Sequence, residues 1–321
     1  MVSPLLHGRQ PPNEAWPALP LEDWQPTYDT LHMWTQIVGK TRLAMTPLVN
    51  HWWNVPLYVT ARGLSTGFMP WGDRNLTIEF DFIDHNLIID SSDGRRKTLP
   101  LIARPVADFY KEYLASLQEL DVHVAIWPKP VEFPEIIPFD QDRKHASYDA
   151  EYAHRLWQAL LVSQHVFEQF RARFLGKCSP VHFFWGSFDL AVTRFSGRRA
   201  PLPAGADRVT REAYSHECIS HGFWPGGSWF GTEIKSPIYY SYTVPAPPDL
   251  PEAAIRPDTA YYHGQLKEFV LAYDDVRQAD RPHELLLEFL QSTYEAGANL
   301  SGWDRQTLER DVPAHAEVGP S

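Results

Sequence analysis

A run of aromatic residues carries the side chains best suited to chemistry, with His182 and Asp189 on either side of Gly186-Ser187. A Gly-Ser pair between two apolar segments predicts a hairpin with a two-residue type II′ turn. Its register sets Phe184 opposite Asp189 and His182 opposite Ala191, so all four side chains share one face. The imidazole and the carboxylate are then diagonal neighbours, with β-carbons roughly 7–8 Å apart. This spacing suits a shared water, metal or substrate.

A second polar stretch contains His216, Glu217 and His221. The two histidines are five residues apart, which excludes the zinc-protease motif because that motif needs them four apart on one helix face. One member of the stretch can still join the hairpin groups. We therefore predict a catalytic set of His182, Asp189, His216 and Glu217 for general acid–base chemistry, with His182, His216 and Glu217 as ligands if a divalent metal takes part.

Further side chains are candidates for holding a substrate. Arg194 and Arg198 follow the hairpin and can bind a carboxylate or phosphate through two parallel hydrogen bonds. Trp185, Trp224 and His51 are expected to line the walls of the same pocket. The competing interpretation is structural, with the arginines in ion pairs and the aromatic rings in the core.

Three functions fit these residues. The first is a small-molecule enzyme, such as a hydrolase, lyase or oxygenase, acting on an organic anion. The second is a non-catalytic binder of such an anion, and the third is a protein-interaction scaffold that uses the proline- and tryptophan-rich surface. A net charge of −11 argues against nucleic acid or an anionic membrane surface as a partner. Oligomeric state stays open.

Composition and pattern indicate a globular protein of the cytoplasm. The 321 residues are 44% hydrophobic and 13% aromatic, which is too apolar for a disordered chain. Neither a secretory signal nor an apolar run long enough to span a bilayer is visible. Cys178 and Cys218 are too few for a disulfide framework, so a reducing compartment is expected.

Periodicity and capping residues predict an α+β fold, with a largely antiparallel sheet or sheets packed against four main helices. The helices are expected at about 28–44, from Pro105, from Ser147 or Asp149 to Gly176, and from Asp280 to Gly297. Alternating apolar residues predict strands at 57–61, 76–82, 87–89, 97–101, 122–127, 181–185, 188–195, 238–244 and 268–273.

The expected organisation is an extended segment over 1–20, one compact unit over 21–305 and a frayed tail over 306–321. Within that unit the order helix, strands, helix occurs twice, which divides it into lobes at about 27–127 and 147–298. An internal duplication is one explanation of this order, and a chance arrangement is the other.

Four long segments of the chain resemble a bacterial family known only as domain of unknown function 5996. They are TYDTLHMWTQIVGKTRLAMTPLVNHWWNVPLYVTARG, SPVHFFWGSFDLAVTRFSGRRAP, the pair YSHE and GFWPGG, and LLEFLQSTYEAGANLSGWDR. The resemblance extends from about Trp16 to Arg305 and implies a stand-alone bacterial protein. The family has no established activity, so no residue inherits a role from it.

Overall fold

The computed structural model describes residues 15–201, 205–229 and 231–310. Within them, four long helices and two antiparallel six-stranded sheets confirm the predicted α+β class. None of the helices in these ranges is both long and apolar enough to cross a bilayer. The helices are α1 (Leu21–Met45), α2 (Val106–Glu119), α3 (Ala150–Ala172), α4 (Arg208–Ala213), α5 (Tyr273–Arg277), α6 (Pro282–Leu300) and α7 (Arg305–Leu308).

The four long helices occur where capping residues and period predict them. Asp149 caps α3 by accepting a hydrogen bond from the backbone N–H of Tyr152 at 3.1 Å. Proline immediately precedes α2 and is the first residue of α6. At the start of a helix the missing N–H of proline removes no hydrogen bond, because the first N–H groups have no partner within the helix. The first helix begins earlier than expected, at Leu21, because Leu21 and Trp24 are buried and hold the additional turns against the core.

The first sheet confirms the predicted meander. Its strands are β1 (Tyr58–Val59), β2 (Gly63–Ser65), β3 (Met69–Trp71), β4 (Arg74–Asp81), β5 (Asn86–Ser91) and β6 (Arg96–Pro100). The strand predicted at 122–127 is wrong. Val122 instead donates its N–H to the carbonyl of Leu117 at 2.9 Å and closes the end of α2, and no strand of the described ranges pairs with the residues that follow.

The second sheet carries most of the predicted site residues. Its order is β13-β14-β12-β9-β8-β7, with every pair antiparallel. These strands are β7 (His182–Phe184), β8 (Asp189–Arg199), β9 (His216–Trp224), β12 (Ile238–Val244), β13 (Tyr261–His263) and β14 (Glu268–Ala272), and a separate hairpin is formed by β10 (Gly227–Trp229) and β11 (Thr232–Ile234). The central strand β9 shows that the stretch containing His216 and His221 is extended rather than helical.

The predicted register of the β7–β8 hairpin is confirmed, but its turn type is wrong. His182 pairs with Ala191 and Phe184 pairs with Asp189, as expected. The connection is a four-residue turn in which Phe188 adopts φ 61° and donates its N–H to the carbonyl of Phe184 at 2.8 Å. Burial of the Phe188 ring against Tyr28, with centroids 4.9 Å apart, offsets the cost of this left-handed conformation.

The two faces of the second sheet pack against different parts of the chain. Helices α3 and α6 cover one face, where Ser163 contacts Tyr239 at 2.9 Å and Thr293 contacts His221 at 3.1 Å. On the opposite face a smaller apolar cluster forms around Trp224, against which Ile234 of β11 packs. That second face is where His182 and Asp189 lie.

The sheets meet at one isolated bridge, where Leu57 and Phe183 exchange two backbone hydrogen bonds of 2.7 and 2.8 Å. Each sheet lies within one of the predicted lobes, and the duplication stays a prediction. Residues 1–14 and 311–321 of the predicted terminal segments lie outside the described residues. Before that limit, Glu309 accepts a hydrogen bond from Tyr294 at 2.9 Å, so the start of the predicted tail is packed.

Candidate functional site

His182 is enclosed in the protein and is not among the residues that line the cavity beside Asp189. Its side chain is 1% exposed, and its ring packs edge-on against Phe184 with centroids 4.7 Å apart. Burial, with the nearby guanidinium groups of Arg42 and Arg171, lowers the pKa of His182 to about 3. The imidazole is therefore neutral at physiological pH.

Asp189 is also buried, but its hydrogen bonds connect it to a cavity beside the sheet. Its carboxylate accepts hydrogen bonds from the hydroxyls of Ser187 and Tyr240. Burial raises the pKa of Asp189, and these two donors partly offset that effect by stabilising the ionised form. Ser187 lies on the wall of this cavity, so Asp189 is one hydrogen bond behind the cavity surface.

The predicted metal site is not assembled. His182 pairs with Ala191 and His216 with Arg199, eight residues farther along β8, which is roughly 26 Å at about 3.3 Å per residue. Glu217 accepts hydrogen bonds from Ser196 at 2.9 Å and Arg198 at 2.8 Å. Among the described residues, no three His, Cys, Asp or Glu side chains are grouped to hold a metal ion.

The two arginines expected to bind an anion have structural partners. Arg194 is fully buried, with its guanidinium carbon 3.4 Å from the ring centre of Phe170 and 4.3 Å from that of Tyr294. Burial lowers the pKa of Arg194 to about 10. Arg198 pairs with Glu217 and donates to the carbonyl of Ser301 at 2.7 Å, which ties β8 to the end of α6. The structure therefore supports the structural interpretation of both arginines.

Trp185 and His51 lie in two other places. Trp185 donates to the carbonyl of Val55 at 2.8 Å and packs against Gly39, where an added β-carbon would lie 2.2 Å from the ring. His51 contacts the Lys177 ammonium at 2.7 Å, and its ring centre is 5.7 Å from that of His216. The two histidines therefore approach each other, far from the hairpin turn.

Of the predicted wall residues, Trp224 lines a cavity of about 430 Å³ on the same side of the sheet as Asp189. We call this cavity the groove. It is formed by one side of α1, the segment 132–145, the hairpin turn and β10–β11. Its lining comprises Leu21, Glu22, Gln25, Tyr28, Asp29, His32, Glu132, Phe133, Pro134, Glu135, Lys144, His145, Ser187, Trp224, Gly227, Ser228, Glu233, Ile234 and Lys235.

Glu132 has the most unusual carboxylate of the groove. Although the residue as a whole is exposed, its Oε1 lies over Gly186, only 2.9 Å from where a β-carbon would be. Removal of the carboxylate from water, together with the charge of Asp189, raises the pKa of Glu132 to about 7. Such a group exchanges its proton near neutral pH, which suits a general acid or base.

Main-chain hydrogen bonds hold Glu132 in this position. The segment from Pro128 to His145, which we call the strap, is bound to α1 by Gln36, whose amide both donates to the carbonyl and accepts from the N–H of Val131 at 2.8 Å. Lys40 adds a hydrogen bond of 2.7 Å to the carbonyl of Lys129. These contacts stabilise the left-handed backbone of Glu132, which has φ 52°.

A histidine–aspartate pair lies at the other end of the strap. His145 donates from Nδ1 to the carboxylate of Asp142 at 2.7 Å, and Asp142 is fully buried. Burial alone would raise the pKa of Asp142, but hydrogen bonds from the side chain and backbone of His145 lower it below its usual value. Because the carboxylate accepts the Nδ1–H, it fixes the orientation of the ring and leaves Nε2 as the nitrogen that can exchange a proton.

Aromatic residues complete the wall. Phe133 packs between His32 and His145, with both pairs of ring centres 5.4 Å apart and nearly perpendicular. Tyr28 donates to the carbonyl of Gly226 at 2.9 Å, which anchors the start of β10–β11 to α1. Gly226 has φ 102°, a conformation that an L side chain rarely adopts, and a β-carbon on the next residue, Gly227, would lie only 3.0 Å from the Tyr28 hydroxyl.

Sequence reasoning missed Glu132 and the His145–Asp142 pair. The strap resembles a linker because prolines interrupt it, and its only local signal is the spacing of Asp142 and His145. An aspartate that accepts backbone N–H groups two and three residues ahead is a recognisable turn, and here Asp142 accepts from Lys144 at 3.0 Å and His145 at 3.1 Å. His32 of α1 is buried and also lines the groove.

The fold and the groove define an α+β protein with two antiparallel sheets and a lined cavity beside the second sheet. The chain belongs to a family of unknown function, DUF5996, whose model matches residues 16–310. No curated protein and no solved structure matches the chain.

Proposed function

We propose that the protein is a small-molecule enzyme that transfers protons in the groove, with Glu132 and the His145–Asp142 pair as its acid–base groups. The observation that carries the proposal is the position of Glu132, whose carboxylate lies over Gly186 on the wall of a cavity of about 430 Å³. A cavity of this size accommodates a metabolite.

The remaining groups support this assignment. The Asp142 carboxylate would fix the orientation of His145 and stabilise the imidazolium formed when His145 accepts a proton. Asp189 acts as a positioning residue, because its charge favours the protonated form of Glu132. In this assignment His182 has a packing role within the hairpin, against Phe184.

The test is a comparison of turnover. Purified protein is incubated with a mixture of polar metabolites, and mass spectrometry identifies the compounds that are consumed. We expect Glu132→Gln and His145→Asn each to reduce consumption about 10²-fold or more, the usual contribution of one acid–base group. The control is Glu288→Gln, which changes a surface carboxylate of α6 that pairs with Arg256.

Two results would contradict the enzyme assignment. Equal consumption by wild type and both groove variants would exclude the groove as the catalytic site. Compounds that bind in the groove without being consumed would instead show a non-catalytic binder, which the aromatic wall of Tyr28, Phe133 and Trp224 also suits.

An additional variant separates the role of Asp189 from folding. Asp189→Asn keeps the shape of the side chain but removes the charge that raises the pKa of Glu132. The pH profile of turnover is expected to shift to lower pH in this variant. A merely structural role would reduce the rate without moving the profile.

A further inference from the structure

The charges of the groove are strongly unequal. Among its lining residues Lys144 is paired with Glu135, which leaves one ammonium group, that of Lys235, against several carboxylates. The carboxylates outside that ion pair are Glu22, Asp29, Glu132 and Glu233. No arginine is among the lining residues, so the groove as described is a poor place for an organic anion.

Several hydrogen-bond acceptors on the groove wall receive few or no hydrogen bonds from the protein. Within the described residues, Glu132 receives no hydrogen bond, and Asp29 receives one from Gln25 at 2.7 Å. His32 donates from Nε2 to the carbonyl of Gly186 at 2.8 Å, so its Nδ1 carries a lone pair. No described residue donates to this buried nitrogen, although His32 is only 3% exposed. An unpaired buried acceptor is costly, and a ligand N–H would remove that cost.

Three rings provide the apolar part of the same wall. The hydroxyl of Tyr28 is already bonded to Gly226, and the phenyl group of Phe133 packs between two histidines. Trp224 is 8% exposed, and its indole N–H has no partner among the described residues. Aromatic faces beside carboxylates attract organic cations, because the ring quadrupole and the negative charge act together.

We propose that the ligand of the groove carries a protonated amine, which pairs with the Glu132 carboxylate beside the aromatic wall. This inference rests on the proposed function of the groove and replaces the anionic substrate expected from Arg194 and Arg198. A primary ammonium group has three N–H donors, enough to reach Glu132 and a second acceptor such as Asp29. An apolar body next to the amine would contact the rings.

The test uses three probes of similar size and different charge: phenethylamine, 3-phenylpropionate and 2-phenylethanol. Binding to the full chain is measured by calorimetry at pH 8 and one ionic strength, because the Glu132 carboxylate, with a pKa of about 7, is then mostly ionised. We expect the amine to bind at least about tenfold more tightly than the other two, as a charge-assisted hydrogen bond of about 1.5–3 kcal/mol would give. Glu132→Gln should remove this preference, whereas the surface control Glu288→Gln should keep it.

Several outcomes would overturn the inference. They are equal or tighter binding of the carboxylate or alcohol probe, unchanged amine binding in Glu132→Gln, or absence of amine binding to a folded wild-type protein. These outcomes differ from failure of the proposed function. Turnover of a neutral or anionic compound that depends on Glu132 and His145 would leave the enzyme assignment intact and exclude only the amine.

Discussion

The phenol of Tyr240 passes over the intervening strand and donates a hydrogen bond to the carboxylate of Asp189, two strands away in the sheet. Its path is open because Gly222 of β9 has no side chain. A β-carbon at that position would lie 2.2 Å from Cζ of Tyr240. The lack of a side chain at Gly222 thus allows Tyr240 to donate a hydrogen bond to a buried carboxylate two strands away.

Removal of the Tyr240 hydroxyl should destabilise the protein. Tyr240→Phe leaves Asp189 with Ser187 as its remaining side-chain donor, and a buried group that loses a partner costs about 1–3 kcal/mol. Urea unfolding at pH 7 measures the change. The control is Tyr242→Phe, which removes a hydroxyl that contacts Tyr214 at 3.2 Å and is not bonded to Asp189. An equal loss in both variants would contradict a special role for the bond to Asp189.

An alanine at Gly222 should force the Tyr240 ring out of its path. Overpacking of this kind costs about 1–3 kcal/mol, and the lost hydrogen bond adds to it. Thermal unfolding compares Gly222→Ala with Gly264→Ala, whose added β-carbon meets nothing within 4 Å. The expectation is a clear decrease in melting temperature for the first variant and almost none for the second. Similar values for the two would show that the ring adapts freely.

Stability should depend on the ionisation of Glu268. Burial, followed by the charge of Asp189, raises the pKa of Glu268 to about 8 from 4.5. A raised carboxyl pKa means that the folded state binds the proton more tightly than the unfolded state. This stabilising contribution is complete below pH 4.5 and is lost as pH rises through about 8.

The contribution of Glu268 to the free energy of unfolding should therefore fall between pH 5 and pH 9, so Glu268→Gln should gain stability relative to wild type as pH rises over this range. Guanidinium unfolding at a series of pH values measures both slopes. Glu288→Gln, with an exposed carboxylate, provides the comparison. Parallel curves for wild type and Glu268→Gln would exclude the proposed ionisation.

His182 should not titrate in the physiological range. Burial and the two neighbouring guanidinium groups lower its pKa to about 3, so its ring stays neutral between pH 5 and pH 8. Because the unfolded-state pKa is 6.5, this histidine stabilises the fold above that pH, and the contribution is lost as pH falls through 3. NMR of the imidazole signals, assigned with His182→Gln, tests this. An inflection near pH 6.5 would show a solvated ring.

Gln36 should control the position of the strap. Gln36→Ala removes both hydrogen bonds to Val131, and each neutral bond contributes about 0.5–1.5 kcal/mol. Hydrogen exchange in residues 128–145 is expected to accelerate, and the pKa of Glu132 should fall as its carboxylate leaves Gly186. Gln169→Ala, at an exposed position of α3, is the control. Unchanged exchange in the Gln36 variant would show that other contacts hold the strap.

Local sequence determined the α+β class, the four long helices and the register of the β7–β8 hairpin. Each depends on residues a few positions apart, such as Asp149 capping α3 or the alternation that pairs Phe184 with Asp189. The sequence pattern also placed His182 and Asp189 on one face. It could not show that both groups are buried, because some of the residues that contact them come from distant parts of the chain, such as Tyr58 beside His182 and Tyr240 bonded to Asp189.

Only the tertiary structure decided which groups meet. Glu132 and Gly186 are distant in sequence, and their contact depends on the hydrogen bonds of Gln36 to the strap. Phe188 accepts a left-handed backbone because its ring is buried against Tyr28, an effect that no local turn rule contains. Periodicity reports which side of an element is apolar, whereas the contacts between elements depend on packing across the whole chain.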